Sequence, residues 1–274
     1  MEEPATENIL FDAPNLVATP HLGASTAEAQ EKVAVQIAEQ IADYLLSGAV
    51  SNAINMPNVT AEEAPILGPY MHLGRKLGSF LGQVTRTNLQ GISIEFDGHA
   101  AGLNIEPVVA SCLAGLMEPI MASANMVNAS TLAKSRGINV SSVRHDRPCD
   151  YQTMIRLTVT YRADGGDEIS RTIAGTLVGG SMPRIIEVQG IGVESDFPQN
   201  LLYLRNYDKP GFIGDLGSLC GKEGINIATF HLGRREIGGE AIALVEIDST
   251  PDDGFLAALK DLPQVVRADN LHFG

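Results

Sequence analysis

The stretch that most restricts what this chain can fold into is its C-terminal segment, LLYLRNYDKPGFIGDLGSLCGKEGINIATFHLGRREIGGEAIALVEID and the residues after it. Leu201 to Arg205 is an apolar run that reads as a strand. A polar turn, Asn206-Tyr207-Asp208-Lys209-Pro210, leads into a helix from Gly211 to Lys222, with Phe212, Ile213, Leu216 and Leu219 as its apolar positions. Ile225 to Leu232 and Glu240 to Ile247 then form a hairpin. Asp252 to Leu259 is a second helix and Val265 to Asn270 a last strand. The order βαββαβ predicts an antiparallel sheet with both helices on one face, the ferredoxin-like arrangement. Such a unit carries no reactive group of its own and suits the binding of a small molecule.

The rest of the chain is long enough for further domains: 274 residues accommodate two or three. We divide it into 1–55, 56–197 and 198–274, an α+β multi-domain chain. In the first block Asn15 to Thr19 reads as a short strand ended by Pro20. A helix follows, with Ser25 as its N-cap and Glu28 three positions on, a capping-box spacing. Val33, Ile37, Ile41 and Leu45 recur every four residues and Gly48 stops the helix. The block offers this apolar stripe little to pack against, so its partner belongs elsewhere.

Residues 56–62 read as a linker. The middle block opens with a helix over about residues 64–84 that contains Gly68, Gly74, Gly78 and Gly82. Each costs a helix about 1 kcal/mol against alanine, which close helix packing would explain. Strands are expected at 89–97, 138–143, 152–161, 168–174 and 185–191, with helices at 107–117 and 124–135. Asp164-Gly165-Gly166 reads as a hairpin turn. A faint echo joins Arg136-Gly137-Ile138-Asn139-Val140 to Glu223-Gly224-Ile225-Asn226-Ile227, each placing Gly after a helix and Asn at a strand entrance.

Composition excludes some functions. Nineteen Lys and Arg against 33 Asp and Glu give a formal charge of −14, which disfavours non-specific nucleic-acid or anionic-membrane binding. Cys112, Cys149 and Cys220 are odd in number and lack a CxxC pair, so a reducing cytoplasmic setting is expected and no metal is assigned. There is no signal-like segment at Met1 and no apolar run of membrane-spanning length.

Four places carry candidate chemistry. His21, between a strand and a helix, is placed for acid–base work on a hydroxyl, or for capping and packing. Asn206, Asp208 and Asn226 surround the first helix's N-terminus, where amides attract carboxylates and the side chains accept from an ammonium, a set suited to an amino acid. The alternative is that Asp208 caps the helix and Asn226 serves a turn. Arg144, His145, Arg147, Arg156, Arg162, Arg171 and Arg184 either hold an anion or pair with carboxylates such as Asp146, Asp150 and Glu168. The glycines at 211, 214 and 217 give GxxGxxG, which is not the dinucleotide fingerprint, so no nucleotide cofactor is expected here.

With Glu2-Glu3-Pro4 and Asn15-Leu16-Val17-Ala18-Thr19-Pro20-His21-Leu22-Gly23-Ala24-Ser25-Thr26, the first block resembles the end of the catalytic region of D-3-phosphoglycerate dehydrogenases. The middle block is similar to the intervening domain of the long form of that family, and the last block to an ACT domain. The resemblance implies that the parent enzymes oxidise 3-phosphoglycerate with NAD in serine biosynthesis, and that His21 is their acid/base. The nucleotide-binding region lies upstream of this sequence, so the chain is expected to be inactive alone. It also implies L-serine binding at Asn206, Asp208 and Asn226, an anionic effector near Arg184, and self-association through the ACT and intervening domains. At the position of Asn206 the family usually carries an aromatic or imidazole side chain. The rival expectations are a stand-alone amino-acid-binding module acting in trans, and a dimerisation piece without a ligand.

Overall fold

The computed structural model describes residues 7–19, 22–85, 88–162 and 166–273. The first element, α1 (Ala27–Ser47), is capped by Thr26, whose hydroxyl accepts from the Ala29 amide at 3.2 Å. The cap is therefore Thr26 and not Ser25, whose hydroxyl donates back to the Leu22 carbonyl at 2.9 Å. Gly48 closes the helix at φ 76°, a left-handed conformation that glycine adopts without a Cβ clash. No residue of α1 is buried, and Val33, Ile37, Ile41 and Leu45 stand in the open. Beyond it a single antiparallel bridge between Val50 and Val59 closes residues 50–59 into a loop, and Ala49 and Val59 anchor that loop by entering the middle domain's core.

The middle domain comprises α2 (Ala64–Val84), β1 (Leu89–Gly98), a 3₁₀ turn (His99–Gly102), α3 (Glu106–Met117), α4 (Ala129–Ser135), β2 (Asn139–Arg144), β3 (Thr153–Arg162), β4 (Glu168–Val178), β5 (Met182–Val188) and β6 (Ile191–Ser195). Its sheet has the order β2-β1-β3-β4-β5-β6, with only β1–β2 parallel. Alternation puts Ile92, Ile94, Phe96, Ile155, Leu157, Val159 and Ile173 on the face that α2 and α3 cover. On the other face lie Glu95, Asp97, Arg156 and Glu187.

The α2 glycines do what their spacing suggests. A Cβ at Gly74 would lie 2.7 Å from the Cys112 sulfur, and one at Gly78 would overlap the Cys112 carbonyl and stand 2.8 Å from the Leu116 amide nitrogen. A Cβ at Gly82 would overlap the Leu116 carbonyl. The two helices thus meet backbone to backbone. Gly68 is different: no atom beyond its chain neighbours lies within 4 Å of the position its Cβ would take, and it stands directly before Pro69.

Two middle-block elements differ from expectation. Residues 124–128 are not helical, because Asn125 and Asn128 divert the chain: the Asn125 side chain accepts from the Val127 and Asn128 amides at 2.9 and 3.2 Å. The run 185–191 is not one strand either. Gln189 and Gly190 adopt φ 55° and 73°, a tight turn that splits it into β5 and β6. The expected turn at Asp164-Gly165-Gly166 lies partly outside the described residues, although β3 and β4 pair antiparallel up to Arg162 and Glu168. The faint echo has a physical basis. Gly137 and Gly224 have φ 70° and 69°, closing α4 and α5, and each is followed two residues later by the Asn that leads into a strand.

The C-terminal domain is β7 (Asn200–Tyr207), α5 (Phe212–Lys222), β8 (Ile227–Arg234), β9 (Glu240–Ile247), α6 (Asp253–Lys260) and β10 (Val265–His272), with an antiparallel sheet ordered β10-β7-β9-β8. This is the βαββαβ arrangement. Leu202, Leu204, Ala243 and Val245 meet Phe212, Leu216, Phe255 and Leu259 of the helices. The opposite face is equally apolar: Leu201, Tyr203, Ile242 and Leu244 join the middle domain's core with Phe80, Ile191 and Val193. Continuous apolar runs such as LLYL mark strands buried on both faces. The sheet is sandwiched between its own helices and its neighbour domain, and Phe80 meets Tyr203 edge to face at a centroid distance of 5.2 Å.

Candidate ligand site at the end of the first C-terminal strand

The strand β7 runs two residues further than its apolar core suggests, which puts Asn206 inside the sheet and Asp208 just past it. Asn206 is buried. Its amide donates to the Tyr207 carbonyl at 3.1 Å, while its carbonyl oxygen is sealed from solvent with no partner. The side-chain oxygen of Gln264, in the turn before β10, is likewise buried and unpaired. Orphaned acceptors of this kind are costly, and a donor arriving at either would remove the penalty.

Asp208 does not cap α5. Gly211 occupies the N-cap position of α5 with no side-chain cap bond, and the Asp208 carboxylate turns to the β8–β9 hairpin instead. There it accepts from the Gly238 amide at 3.1 Å and from the Arg234 guanidinium at 2.7 Å. The Gly238 amide and then Arg234 hold its pKa below the ordinary carboxylate value. Arg234 is half exposed, so one end of the sheet presents a carboxylate and a guanidinium in contact at the surface.

Asn226 is elsewhere. In the ladder Tyr207 lies opposite Glu240 and Arg234 opposite Ala241, while Ile227 lies opposite Ile247. Asp208 and Arg234 are therefore at one end of the sheet and Asn226 at the other, separated by the length of β8, roughly 25 Å at strand rise. Within one chain Asn226 does not meet Asn206 and Asp208 across the sheet edge. Its amide bonds the Asp248 carboxylate at 2.7 Å.

Arg184 is ion-paired with Asp196 and lines a cavity of about 560 Å³ with Asp150, Tyr151, Glu194 and His231. Its charge is already answered by a carboxylate. The same is true of three further members of the cluster, with partners other than those expected: Arg147 bonds the buried Asp97 at 2.6 and 3.2 Å, Arg156 forks onto Glu187, and His145 meets Glu95 at 2.8 Å. Arg171 stacks on the Tyr161 ring at 5.0 Å, and burial lowers its pKa. His21 lies outside the described residues. Among the described residues no cluster of three or more His, Cys, Asp or Glu is arranged to hold a metal, and no helix is long and apolar enough to cross a membrane.

Sequence reasoning missed Arg234, Gly238 and Gln264. The Arg234 contact spans 26 positions in the chain, and the only hint was a charged pair, Arg234-Arg235, set before the Gly238-Gly239 hairpin.

The fold and this strand-end site define an ACT domain, and the ACT family model matches residues 201–264. The model of the D-3-phosphoglycerate dehydrogenase intervening domain matches residues 66–189. The chain is 34% identical over 265 residues to a D-3-phosphoglycerate dehydrogenase of Bacillus subtilis, covering 96% of this chain and 50% of that protein. It is 35% identical over 268 residues to that of Methanocaldococcus jannaschii, covering 96% and 49%, and 34% identical over 260 residues to that of Synechocystis, covering 94% and 46%. The chain belongs to the D-3-phosphoglycerate dehydrogenase family and corresponds to its C-terminal portion, spanning about half the length of the curated relatives it matches.

Proposed function

We propose that this chain is the regulatory and self-associating portion of a D-3-phosphoglycerate dehydrogenase, and that its ACT domain senses L-serine. The observation that carries the reading is the Asp208–Arg234 pair at the end of β7, backed by the unpaired Asn206 oxygen. A zwitterion needs a carboxylate for its ammonium and a guanidinium for its carboxylate, and this pair offers both. Binding inserts the ligand between them.

Asn226 joins the site from a second copy. The edge strand β8 has one unpaired side. Antiparallel pairing of two such edges about an axis near Phe230 sets Asn226 of one copy opposite Arg234 of the other. That arrangement supports a role in assembly and explains why a ligand set divided between sheet ends serves one pocket.

In the parent enzyme the reaction is oxidation of 3-phosphoglycerate with NAD, in the cytoplasm, and His21 is its acid/base. This chain alone binds no NAD and turns over no substrate. Calorimetric titration of the full chain with L-serine, with glycine as control and the mass in solution recorded, tests the reading. Saturable serine heat that Asp208→Asn or Asn226→Ala abolishes supports it. A folded dimer that gives no heat rules out serine sensing and leaves the dimerisation reading. NAD reduction by the chain with 3-phosphoglycerate would overturn the inactive assignment.

A further inference from the structure

We propose that the groove between α2 and the end of β10 binds a small dianion of the phosphate or phosphate-monoester class. This site is separate from the amino-acid site at the end of β7. It has a volume of about 630 Å³, ample for a phosphorylated metabolite of a few carbons.

Its floor is one side of α2. His72, Arg75, Lys76 and Ser79 follow each other at helical spacings of three and four residues, so they project to the same side. The far wall is His272 and Phe273, and the rim is Glu118 with Pro119. The lining thus carries two fixed cations and two imidazoles against one carboxylate. That carboxylate is taken: Glu118 bonds Arg75 at 2.7 Å. Lys76 has no ion-pair partner among the described residues, and its ammonium rests over the Phe273 ring at 5.7 Å from the centroid. In a chain of formal charge −14, an uncompensated cation set in a concave wall is a local inversion of the field.

The electrostatics of the empty groove point the same way. Burial, then Lys76 and Arg75, push the His72 pKa down, and burial lowers that of Lys76. The positive charge of Lys76 and Arg75 that repels a proton from His72 is charge a dianion would offset, and with Ser79 these side chains supply N–H and O–H donors for phosphate oxygens.

The groove also spans two domains. The Gln83 side chain accepts from the His272 amide at 2.8 Å and donates to the His272 carbonyl at 3.0 Å, holding the last strand against α2. A ligand touching Lys76 and His272 together therefore loads the seam that joins the middle domain to the ACT sheet.

The test uses the full chain and inorganic phosphate. The His72 ring resonance, assigned with a His72→Gln variant, is followed by NMR during titration with phosphate and with chloride at matched ionic strength. The expected result is a saturable phosphate-specific shift, with His72 titrating at higher pH when phosphate is bound. Lys76→Met should weaken the response at least tenfold, while Lys76→Arg keeps it within about threefold. If Lys76→Met loses its folded signature, Ser79→Asp replaces it and should abolish the response by placing a like charge in the groove. Equal shifts in chloride and phosphate overturn the proposal, as does a phosphate response undiminished in Lys76→Met or, in its stead, Ser79→Asp.

Discussion

The carboxylate of Asp208 and the guanidinium of Arg234 meet at 2.7 Å, joining the end of β7 to the end of β8 across the intervening β9. The pair is near enough to the surface to be split by a ligand, and it anchors the β8–β9 hairpin through the Gly238 amide at the same time.

That geometry fixes a pH dependence. The folded-state pKa of Asp208 lies below its ordinary value of 3.8, so the contact contributes stability that is complete above that value and lost as pH falls through the lower folded pKa. Asp208→Asn should lower the melting temperature by a constant amount between pH 5 and pH 7. The gap to wild type should shrink only below the ordinary carboxylate range. Thermal scans of both proteins across that window check it.

A complementation experiment tests the two-copy pocket. Asp208→Asn and Asn226→Ala should each abolish serine binding alone. Co-expressed, they should form mixed dimers with one intact site and one doubly altered site. Calorimetry on tagged, purified mixed dimers should recover one wild-type-affinity site per dimer. Recovery of none would place both residues in one chain's pocket, or in none.

Two glycines in the same helix should respond by very different amounts. Gly78→Ala drives a methyl into the α3 backbone at Cys112 and Leu116, so it should destabilise by about 1–3 kcal/mol or more, since the obstructing atoms are main chain. Gly68→Ala meets nothing beyond its chain neighbours, but its methyl would stand against the Pro69 ring, which disfavours a helical conformation for the residue before it. The helix-propensity gain should therefore be offset, and the net change should stay within about 1 kcal/mol. Urea titrations of both variants decide the matter.

Helix α1 should behave as a poorly protected appendage. It buries none of its residues, and Leu45 and Leu46 are 75% and 87% exposed. Leu45→Ser should change global stability by less than about 0.5 kcal/mol, the ordinary range for surface sites. Leu204→Ala, in the ACT core, should cost about 2–5 kcal/mol. Hydrogen exchange should show α1 amides opening far more readily than those of α2.

Much of the fold was legible in the chain itself. The βαββαβ order followed from alternating apolar runs and turn residues, and each expected C-terminal element lies within about two residues of its place. The α2 glycines announced a close helix contact because nothing else justifies their cost at that spacing. The apolar stripe of α1 announced a helix without a partner. Local devices were harder to read. Asn125 and Asn128 compete with the helix through side-chain bonds, and Gln189 with a positive φ breaks what looks like one strand.

The amino-acid sequence by itself determined the order of elements and the residue types gathered around the turn after β7, because propensity, periodicity and turn chemistry act over a few positions. Only the tertiary structure decided where those residues stand. Strand direction carries Asn226 to the far end of the sheet from Asp208, and supplies Arg234 and Gly238 as that carboxylate's partners. It also buries both faces of the ACT sheet and gives Arg147, Arg156 and Arg184 carboxylates of their own. Sheet order and register are long-range choices, set by which apolar faces can be covered at once, and no local run of residues encodes them.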